Sequence, residues 1–460
     1  MTLTHSLKAA ASPINETAGL GPLIDAISEA RFVLIGEATH GTEEFYRTRA
    51  HITQRLIAEH GFAAVAVEAD WPDAFRANRY VRHHGVDHSA PEALGDFRRF
   101  PVWMWRNHVV AGFLEWLKTH NHAGSARRRV GFYGLDVYSM HSSMRRVLGY
   151  LEQVDPQAAR LARDRYGCFD RFEGDPHLYG RVTTLGVATD CEKESLAQLT
   201  DMLRRRGSEA AALSTELSAR ANGASDARSA ELDPMDDEAA FDAAQNARVV
   251  RDAEAYYRAQ FLGNARSWNL RDTHMADTLD ELLTHLRHLG HARPRVVVWA
   301  HNSHLGDARA TDRREWGELN LGQLMRERHP GECQLIGFTT YDGSVTAASA
   351  WDEPAELKRV RPALRGSYEE LFHTVGWPAF HLDLRRLPKE LEPLAEPRLH
   401  RAIGVIYRPE TERVSHYYQA SMPQQFDHVI HIDRTQALRP LDRSAGEVEA
   451  DEPETFPTGL

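Results

Sequence analysis

Ionisable side chains follow three apolar runs of the sequence, at the points where each run ends. Glu37 and His40 follow the first run, Glu68 closes the second, and His301 and His304 follow the third. In open α/β sheets, reactive groups collect at the carboxyl ends of the strands. A carboxylate beside an imidazole orients the ring and raises its basicity, which suits a general base. The spacing therefore predicts an acid–base or metal-ligand cluster.

The individual residues also have structural explanations. Glu37 and His40 are three residues apart and point the same way in a tight or helical turn, but Glu37 can instead bind backbone amides while Thr39 or Thr42 caps the next helix. Glu68 ends a fully apolar run, where a carboxylate is costly unless it is paired, so a salt bridge beneath a loop is its alternative role. These alternatives stay open at this stage.

A second group of polar residues lies near the same run ends. Asp136 and Tyr138 follow a fourth run, and either a structural or a functional role fits them. Asp70 can cap the helix that Pro72 begins. Arginines are the natural partners of a carboxylate-rich site or of an anionic substrate. The candidates are Arg49, Arg106 and Arg271.

Other catalytic chemistries have no support in the sequence. It contains no GxSxG, no GxxxxGK[ST], no HExxH, and no GxGxxG after a strand, so an ordinary serine hydrolase or a nucleotide-phosphate site is not expected. The three cysteines, Cys168, Cys191 and Cys333, form no CxxC. They predict neither a disulfide framework nor a zinc–thiolate site, and a reducing compartment fits best.

Composition limits the partners. The net charge of −11 argues against general binding to nucleic acid or to an anionic membrane, because both require a basic excess. The first residues lack the apolar segment of a secretion signal, and no run approaches the roughly 18 apolar residues that span a bilayer. We expect a soluble, cytoplasmic monomer or homodimer that acts on a small molecule.

Seven continuous apolar runs predict strands that are covered on both faces. They span residues 31–36, 62–68, 130–136, 295–300, 333–338, 402–407 and 428–432. Stretches with helical spacing, such as 44–60, separate many of them, which indicates βα units and an α/β fold with a mainly parallel sheet.

The chain divides by composition into a first part of the α/β core at 1–141, a mainly helical insertion at 142–290 and a second part of the core at 291–440. The polar stretch 215–237 predicts a loop, and the acidic residues 441–460 predict a disordered tail. Two aromatic-rich stretches, 97–113 and 168–179, are candidates for pocket walls.

Four motifs together resemble the erythromycin esterase family, over about residues 20 to 440. They are Gly36-Glu-Ala-Thr-His40, Val67-Glu-Ala-Asp-Trp71, Trp268-Asn-Leu-Arg-Asp272 and Trp299-Ala-His-Asn-Ser-His-Leu-Gly306. The resemblance implies a three-layer α/β/α fold in which a helical subdomain forms one wall of a deep cleft. It also implies a hydrolase that opens a macrolide lactone with a histidine base. His40 matches that base, and the matching site residues are Glu37, Glu68, Arg49, His301 and His304.

Three hypotheses follow. In the first, His40 activates water for ester or lactone hydrolysis without a cofactor, and Arg49, Arg271 or a protonated histidine holds the oxyanion. Either His301 or His304 protonates the leaving alkoxide, and the expected substrate-binding residues are Arg271, Asp136, Arg106 and Trp71. In the second, Zn or Mn bound by the same histidines and glutamates activates the water. In the third, the imidazoles bind haem or another small ligand.

Overall fold

The sheet is built from strands scattered over the whole chain. In this computed structural model, residues 3–15, 19–123, 125–172, 175–221 and 234–442 are described, without the side chains of 209–221, 234–236 and 264. The strands are β1 (Ser12–Pro13), β2 (Phe32–Ile35), β3 (Ala64–Asp70), β4 (Gly131–Asp136), β5 (Val296–Trp299), β6 (Cys333–Ala347), β7 (Glu356–Val360), β8 (Ala379–Asp383), β9 (Arg398–Arg401), β10 (Tyr417–Ala420) and β11 (His428–Thr435).

The helices fall mainly between these strands. They are α1 (Leu3–Ala10), α2 (Gly21–Ile27), α3 (Glu43–His60), α4 (Trp71–Val81), α5 (Ala90–Ala93), α6 (His108–Asn121), α7 (Met140–Val154), α8 (Pro156–Tyr166), α9 (Pro176–Thr184), α10 (Glu192–Ala221), α11 (Pro234–Ala259), α12 (Asn264–His288), α13 (Asn302–Leu305), α14 (Leu321–Arg328), α15 (Tyr368–His373), α16 (Glu412–Ser415) and α17 (Met422–Gln425). Among the described residues, no helix is long and apolar enough to cross a membrane.

The main sheet has the order β1-β8-β11-β6-β2-β5-β3-β4, and β7 pairs with the far end of β6. Its central strands, from β11 to β4, are all parallel, while β1, β7 and β8 are antiparallel additions. The prediction of a mainly parallel sheet is therefore confirmed. β9 and β10 form a separate antiparallel pair.

Alternate residues of the central strands enter two different cores, which is why the runs are apolar throughout. Val33 and Ile35 of β2 pack with α2, α3 and α6 on one face. Phe32 and Leu34 pack with α12, α14 and α15 on the other. Since a strand points successive side chains to opposite faces, the sheet is covered by helices on both sides, and the three-layer α/β/α fold is confirmed.

Helix α3 supports the site directly. It starts after Thr42, whose backbone is extended, and Glu43 and Glu44 in its first turn complement the helix dipole. It ends at Gly61, which has a φ of 67°, a left-handed conformation that glycine adopts without strain. Its inner face buries apolar side chains and the charged side chain of Arg49.

Six of the seven predicted runs are strands, but the prediction for 402–407 is wrong. There Ile403 and Ile406 make only isolated bridges, to Thr39 and Ala348. The run is apolar because Ala402 and Ile403 are buried by tertiary packing, which does not require a ladder of hydrogen bonds. The predicted helix at 44–60 is confirmed as α3.

Between β4 and β5, the described residues form helices α7 to α12 and no strand. Helices α7, α9 and α11 share a separate core around Tyr179 and Tyr256, and α12 packs on the sheet. The predicted domain boundaries remain a prediction. Of the loop predicted at 215–237, both ends are helical, in α10 and α11, and 222–233 lies outside the described residues. Residues 443–460 of the predicted tail also lie outside the described residues.

The cysteine prediction needs correction. Cys168 and Cys191 form a disulfide with their Cα atoms 6.0 Å apart, and Cys333 is free. Two cysteines that are 23 residues apart in the sequence meet because α9 folds back between them, a tertiary event with no local sequence pattern. The pairing removes the cysteine argument for a reducing compartment.

Candidate active site

The carboxyl ends of four neighbouring strands, β2, β5, β3 and β4, open onto one cavity of about 130 Å³. Because parallel strands end at the same edge, side chains that are far apart in sequence meet there. The cavity is lined, among others, by the predicted site residues His40, Glu68, Asp136, Arg271, His301 and His304.

Glu37 orients the imidazole of His40. The Nδ1–H of His40 donates to Glu37 Oε1 over 2.8 Å, which leaves Nε2 for the cavity. The second carboxylate oxygen lies 3.3 Å from Arg49 Nη1. The guanidinium of Arg49 is fully buried between the rings of Tyr46 and Trp299, 4.5 and 4.8 Å from their centroids. Arg49 therefore positions Glu37 and does not line the cavity.

Asn302 fixes the backbone around this pair. The backbone N–H of Asn302 donates to the Glu37 carbonyl over 2.8 Å. Its side-chain amide donates to the Phe338 carbonyl and accepts from the Phe338 backbone N–H. A Cβ on Gly36 would lie 2.2 Å from Asn302 Oδ1, so only glycine fits there. Asn302 thus ties the ends of β2 and β5 to Phe338 within β6, a role that its place between two histidines did not reveal.

His301 is held as a neutral ring beside His40. Its Nδ1 accepts from the amide of Ser303, so the ring proton is on Nε2. The two histidine rings are 4.7 Å apart. Burial and the neighbouring His40 lower the pKa of His301 well below its usual value. The backbone N–H of His301 donates to Glu68 Oε2 over 2.8 Å.

His304 is held as a cation. Its Nδ1 lies 3.0 Å from both oxygens of Asp272, its Nε2 lies 3.3 Å from Glu68, and its ring stacks on Trp268 at 4.4 Å. Burial lowers the pKa of His304, but the carboxylates of Asp272 and Glu68 outweigh burial and the opposing Arg271, and raise that pKa to about 9. Asp272 was missed as a site residue, although it ends one of the four family-like motifs.

Arg271 occupies the centre of the carboxylates. It donates to Asp136 through Nε and Nη2 at 2.9 and 2.6 Å and to Glu68 through Nη2 at 2.8 Å, while its Nη1 lies 3.0 Å from Nε2 of the protonated His304 ring. Burial raises the pKa of Glu68, but His304 and Arg271 hold it well below its usual value. Carboxylates engage Nε and Nη2 of Arg271, whereas Nη1 faces a protonated ring nitrogen that cannot accept, so Nη1 has no acceptor among these side chains.

Asp70 is a further cavity residue. It is the N-cap residue of α4, but its side chain makes no capping hydrogen bond. Instead, Oδ2 forms an ion pair with Arg99, and both residues line the cavity. The capping role considered from the sequence is therefore not realised.

Two predicted substrate contacts lie elsewhere. Trp71 is buried in the core, stacks on Tyr133 and donates from its indole to Asp242. Arg106 pairs with Asp442 and donates to the Leu94 carbonyl. Neither side chain lines the cavity. Each was chosen for its sequence neighbours, which do not determine the direction of a side chain.

Aromatic rings form one wall of the cavity. Phe97, Phe100 and Trp105 come from the predicted aromatic stretch 97–113, and Trp351 adds a ring that was not predicted. Phe169, Phe172 and Tyr179 of the second stretch, 168–179, pack instead in the helical core of α7, α9 and α11. In the part of the chain that the structure describes, no group of three His, Cys, Asp or Glu side chains is arranged to hold a metal ion.

Curated relatives align over most of the chain at low identity. YbfO of Bacillus subtilis (strain 168), provisionally named a hydrolase, is 21% identical over 417 residues, which are 88% of this chain and 83% of YbfO. Erythromycin esterase type II of Escherichia coli is 22% identical over 404 residues, 85% of this chain and 89% of that protein.

Solved structures show the same fold. A succinoglycan biosynthesis protein superimposes with a TM-score of 0.72 at 20% identity, covering 96% of this chain and 98% of that one. An erythromycin esterase mutant, EreC in its open conformation, superimposes with a TM-score of 0.61 at 14% identity, covering 94% of this chain and 99% of that one. At these identities the likeness establishes the fold alone.

A family model described as erythromycin esterase matches residues 57–435. The match includes Glu68, Arg271, His301 and His304 and begins after Glu37, His40 and Arg49, so the case for those three rests on the geometry given above. Because the model matches most of the sequence, the chain belongs to the erythromycin esterase family.

Proposed function

We propose that the protein hydrolyses a carboxylic ester or lactone with water that His40 activates, without a metal or other cofactor. The observation that carries the proposal is the 2.8 Å bond from His40 Nδ1 to Glu37, with Arg49 behind the carboxylate. A ring held in this way has one tautomer, and its basic Nε2 is left for a water molecule.

The oxyanion of the tetrahedral intermediate needs a donor that is not already engaged. Arg49 is buried away from the cavity, whereas Arg271 lines it, and its Nη1 faces only the protonated ring of His304, which cannot accept. His301 also lines the cavity beside His40, but its Nε2 is buried. We assign Nη1 of Arg271 to the oxyanion, and the cation His304 adds positive charge beside it.

The proton balance is simple. His40 Nε2 takes a proton from water, and the resulting hydroxide attacks the carbonyl carbon. When the tetrahedral intermediate collapses, the carbon–oxygen bond of the leaving group breaks. The imidazolium of His40 then returns the proton to the leaving alkoxide, which restores the neutral ring. The products are a carboxylate with its released proton and an alcohol, or one hydroxy acid from a lactone.

The size of the cavity supports a small reacting group. Ligand pockets commonly enclose roughly 300–1,000 Å³, whereas this cavity encloses about 130 Å³. An acyl group or a short-chain ester fits within it. The name of the Escherichia coli relative, erythromycin esterase type II, supports the ester-cleaving class.

A panel of short-chain esters, lactones and amides, assayed with wild type and His40→Ala, tests the proposal. We expect hydrolysis of at least one ester or lactone, and a loss of roughly 10³-fold or more in kcat for His40→Ala. His108→Ala is the matched control, because His108 is an exposed residue at the start of α6, and it should keep wild-type turnover. Full activity in His40→Ala would refute the role of His40.

A further inference from the structure

We propose that a groove between α4 and α7 binds an organic phosphate, a small molecule that carries a phosphate group on an apolar body. The groove encloses about 660 Å³, within the range of roughly 300–1,000 Å³ that is common for ligand sites. It adjoins the active-site cavity, and Asp73 lines both. The proposal goes beyond ester hydrolysis, because it concerns a second site and its test needs no turnover.

Two helix faces form the walls of this α4–α7 groove. On each helix the lining residues recur at intervals of three and four positions, so they share one face. Among them are Phe75, Asn78 and Arg82 on α4 and Ser142, Arg145 and Gly149 on α7. A helix face that packs against a neighbour is ordinarily apolar. These two faces are mainly polar, and the space between them is open.

Three arginines of the groove have no carboxylate partner in the part of the chain that the structure describes. They are Arg79, Arg98 and Arg145, and all three are exposed. Each donates through Nε or Nη2 to a neutral carbonyl or hydroxyl oxygen, which leaves Nη1 available. The planar guanidinium group matches phosphate oxygens in both charge and geometry. Three such groups along one groove therefore indicate an anionic ligand.

Carboxylates in the groove do not occupy these arginines. Asp96 pairs with Arg76 and Arg146, and Glu238 pairs with the buried Arg82. Each of these carboxylates is thus neutralised by other cations. The charge of the three exposed arginines remains for a ligand.

The charge balance also favours an anion. Five arginines and four carboxylates line the groove among the described residues, so one positive charge is in excess although the whole chain has a net charge of −11. Burial raises the pKa of Asp242 to about 6 despite the opposing hydrogen bond from Trp71, which reduces its negative charge below neutral pH. The groove is therefore locally basic on an acidic protein.

The ligand has an organic body as well as a phosphate. The groove is far larger than a phosphate ion, and Phe75 and Tyr150 line it together with the arginines. Aromatic rings provide large apolar surfaces for packing. A phosphate held by the arginines and a ring held beside Phe75 and Tyr150 would use both parts of the groove.

Phenyl phosphate and benzyl alcohol provide the test, because both contain a benzene ring and only the first carries a phosphate. Isothermal titration calorimetry of wild type should show one phenyl phosphate per chain, with benzyl alcohol at least tenfold weaker. Arg79→Gln and Arg145→Gln should each weaken phenyl phosphate binding about tenfold. Arg386→Gln is the matched control, because Arg386 is exposed and lies outside the groove, and it should bind as wild type does. Equal affinity of wild type and both groove variants, or equal affinity for the two compounds, would overturn the proposal.

His40→Ala distinguishes the groove from the active-site cavity. His40 lines only the latter of the two, so we expect His40→Ala to bind phenyl phosphate with wild-type affinity. Inorganic phosphate should compete with phenyl phosphate in both proteins. Loss of binding in His40→Ala would place the ligand in the active-site cavity and refute the second site. If no ester is cleaved but arginine-dependent binding persists, only the esterase proposal fails.

Discussion

The carboxylate of Glu68 accepts a hydrogen bond from the backbone amide of His301 over 2.8 Å. A side chain thus joins the end of β3 to the segment after β5, beyond the last pair of the parallel ladder. The same carboxylate pairs with Arg271 and His304 through its other oxygen. Glu68 therefore fixes the backbone of the site at His301 and also neutralises part of the positive charge of Arg271 and His304.

Glu68→Ala and Glu68→Gln should separate these two roles. Alanine leaves the amide of His301 unbonded and two cations undercompensated, and we expect roughly 3–5 kcal/mol of lost stability. Glutamine retains an acceptor and loses only the charge, so its loss should be smaller. Urea unfolding of both variants, with kcat on any established substrate, provides the measurement. Equal destabilisation by the two substitutions would contradict the backbone role.

Glu37→Gln should lower kcat by roughly 10²–10⁴-fold with little change in KM. Arg49 will draw the amide oxygen of the glutamine, so the amide NH₂ faces His40 and forces the ring proton onto Nε2. The imidazole ¹⁵N shifts of His40 report the tautomer. Adding Arg49→Met should restore part of the rate, because the glutamine can then turn its oxygen to His40. No tautomer change in Glu37→Gln would disprove this account.

Chelators should leave turnover unchanged. Arg271 lies between Glu68 and Asp136 and already supplies the positive charge that a metal would provide there. We expect full kcat after dialysis against EDTA, in protein purified without a histidine tag. Elemental analysis of the active sample should find far less than one metal per chain. Loss of activity on chelation, with recovery on adding Zn²⁺ or Mn²⁺, would instead favour the metal-dependent hydrolase.

Stability should be greatest near pH 6.5 to 7. Burial lowers the pKa of His381 and of His416 to about 4, so the unfolded chain binds more protons than the native state between pH 6.5 and 4, and stability is lost as the pH falls through that window. Across that window, each of these histidines removes on the order of 3 kcal/mol from the free energy of unfolding. The pKa of His304 is raised to about 9, so its contribution is lost as the pH rises from 6.5 to 9.

Urea unfolding between pH 4.5 and 9.5 measures this profile. His416→Gln is the informative variant, because the ring accepts a hydrogen bond from the amide of Arg408 and glutamine offers an acceptor that does not titrate. We expect a shallower acid limb for this variant. A free energy of unfolding that is constant from pH 7 to 5 in wild type would contradict the prediction.

Reduction of the disulfide should destabilise the helical region and leave the active site intact. Cys168 and Cys191 close a loop with a sequence separation of 23 residues, for which loop entropy gives about 3 kcal/mol. Cys168→Ser and Cys191→Ser should show this loss in urea with kcat unchanged. Thiol titration of the denatured protein checks the pairing, and it should find one free thiol before reduction and three after. Three free thiols without reductant would exclude the bond.

The sequence predicted the central strands and the residues at their ends, because both depend on local patterns. A strand that is buried on both faces is apolar at every position, and a polar side chain just beyond it faces the edge where parallel strands meet. Asp272, Asn302 and Trp351 were missed because each reaches the site through tertiary contacts. The same reason explains why the sequence did not predict the side-chain directions of Trp71 and Arg106 or the disulfide, and why the strand predicted at 402–407 is wrong. Packing between distant elements decided them.

The strand order has a consequence for how the chain folds. β5 lies between β2 and β3 in the sheet, yet it follows both of them in the chain by more than two hundred residues. A growing polypeptide therefore cannot complete the centre of its sheet until β5 has been synthesised and inserted. Such long-range pairing slows folding. It also means that fragments ending before β5 lack the site, so catalytic competence is acquired late and in a single step.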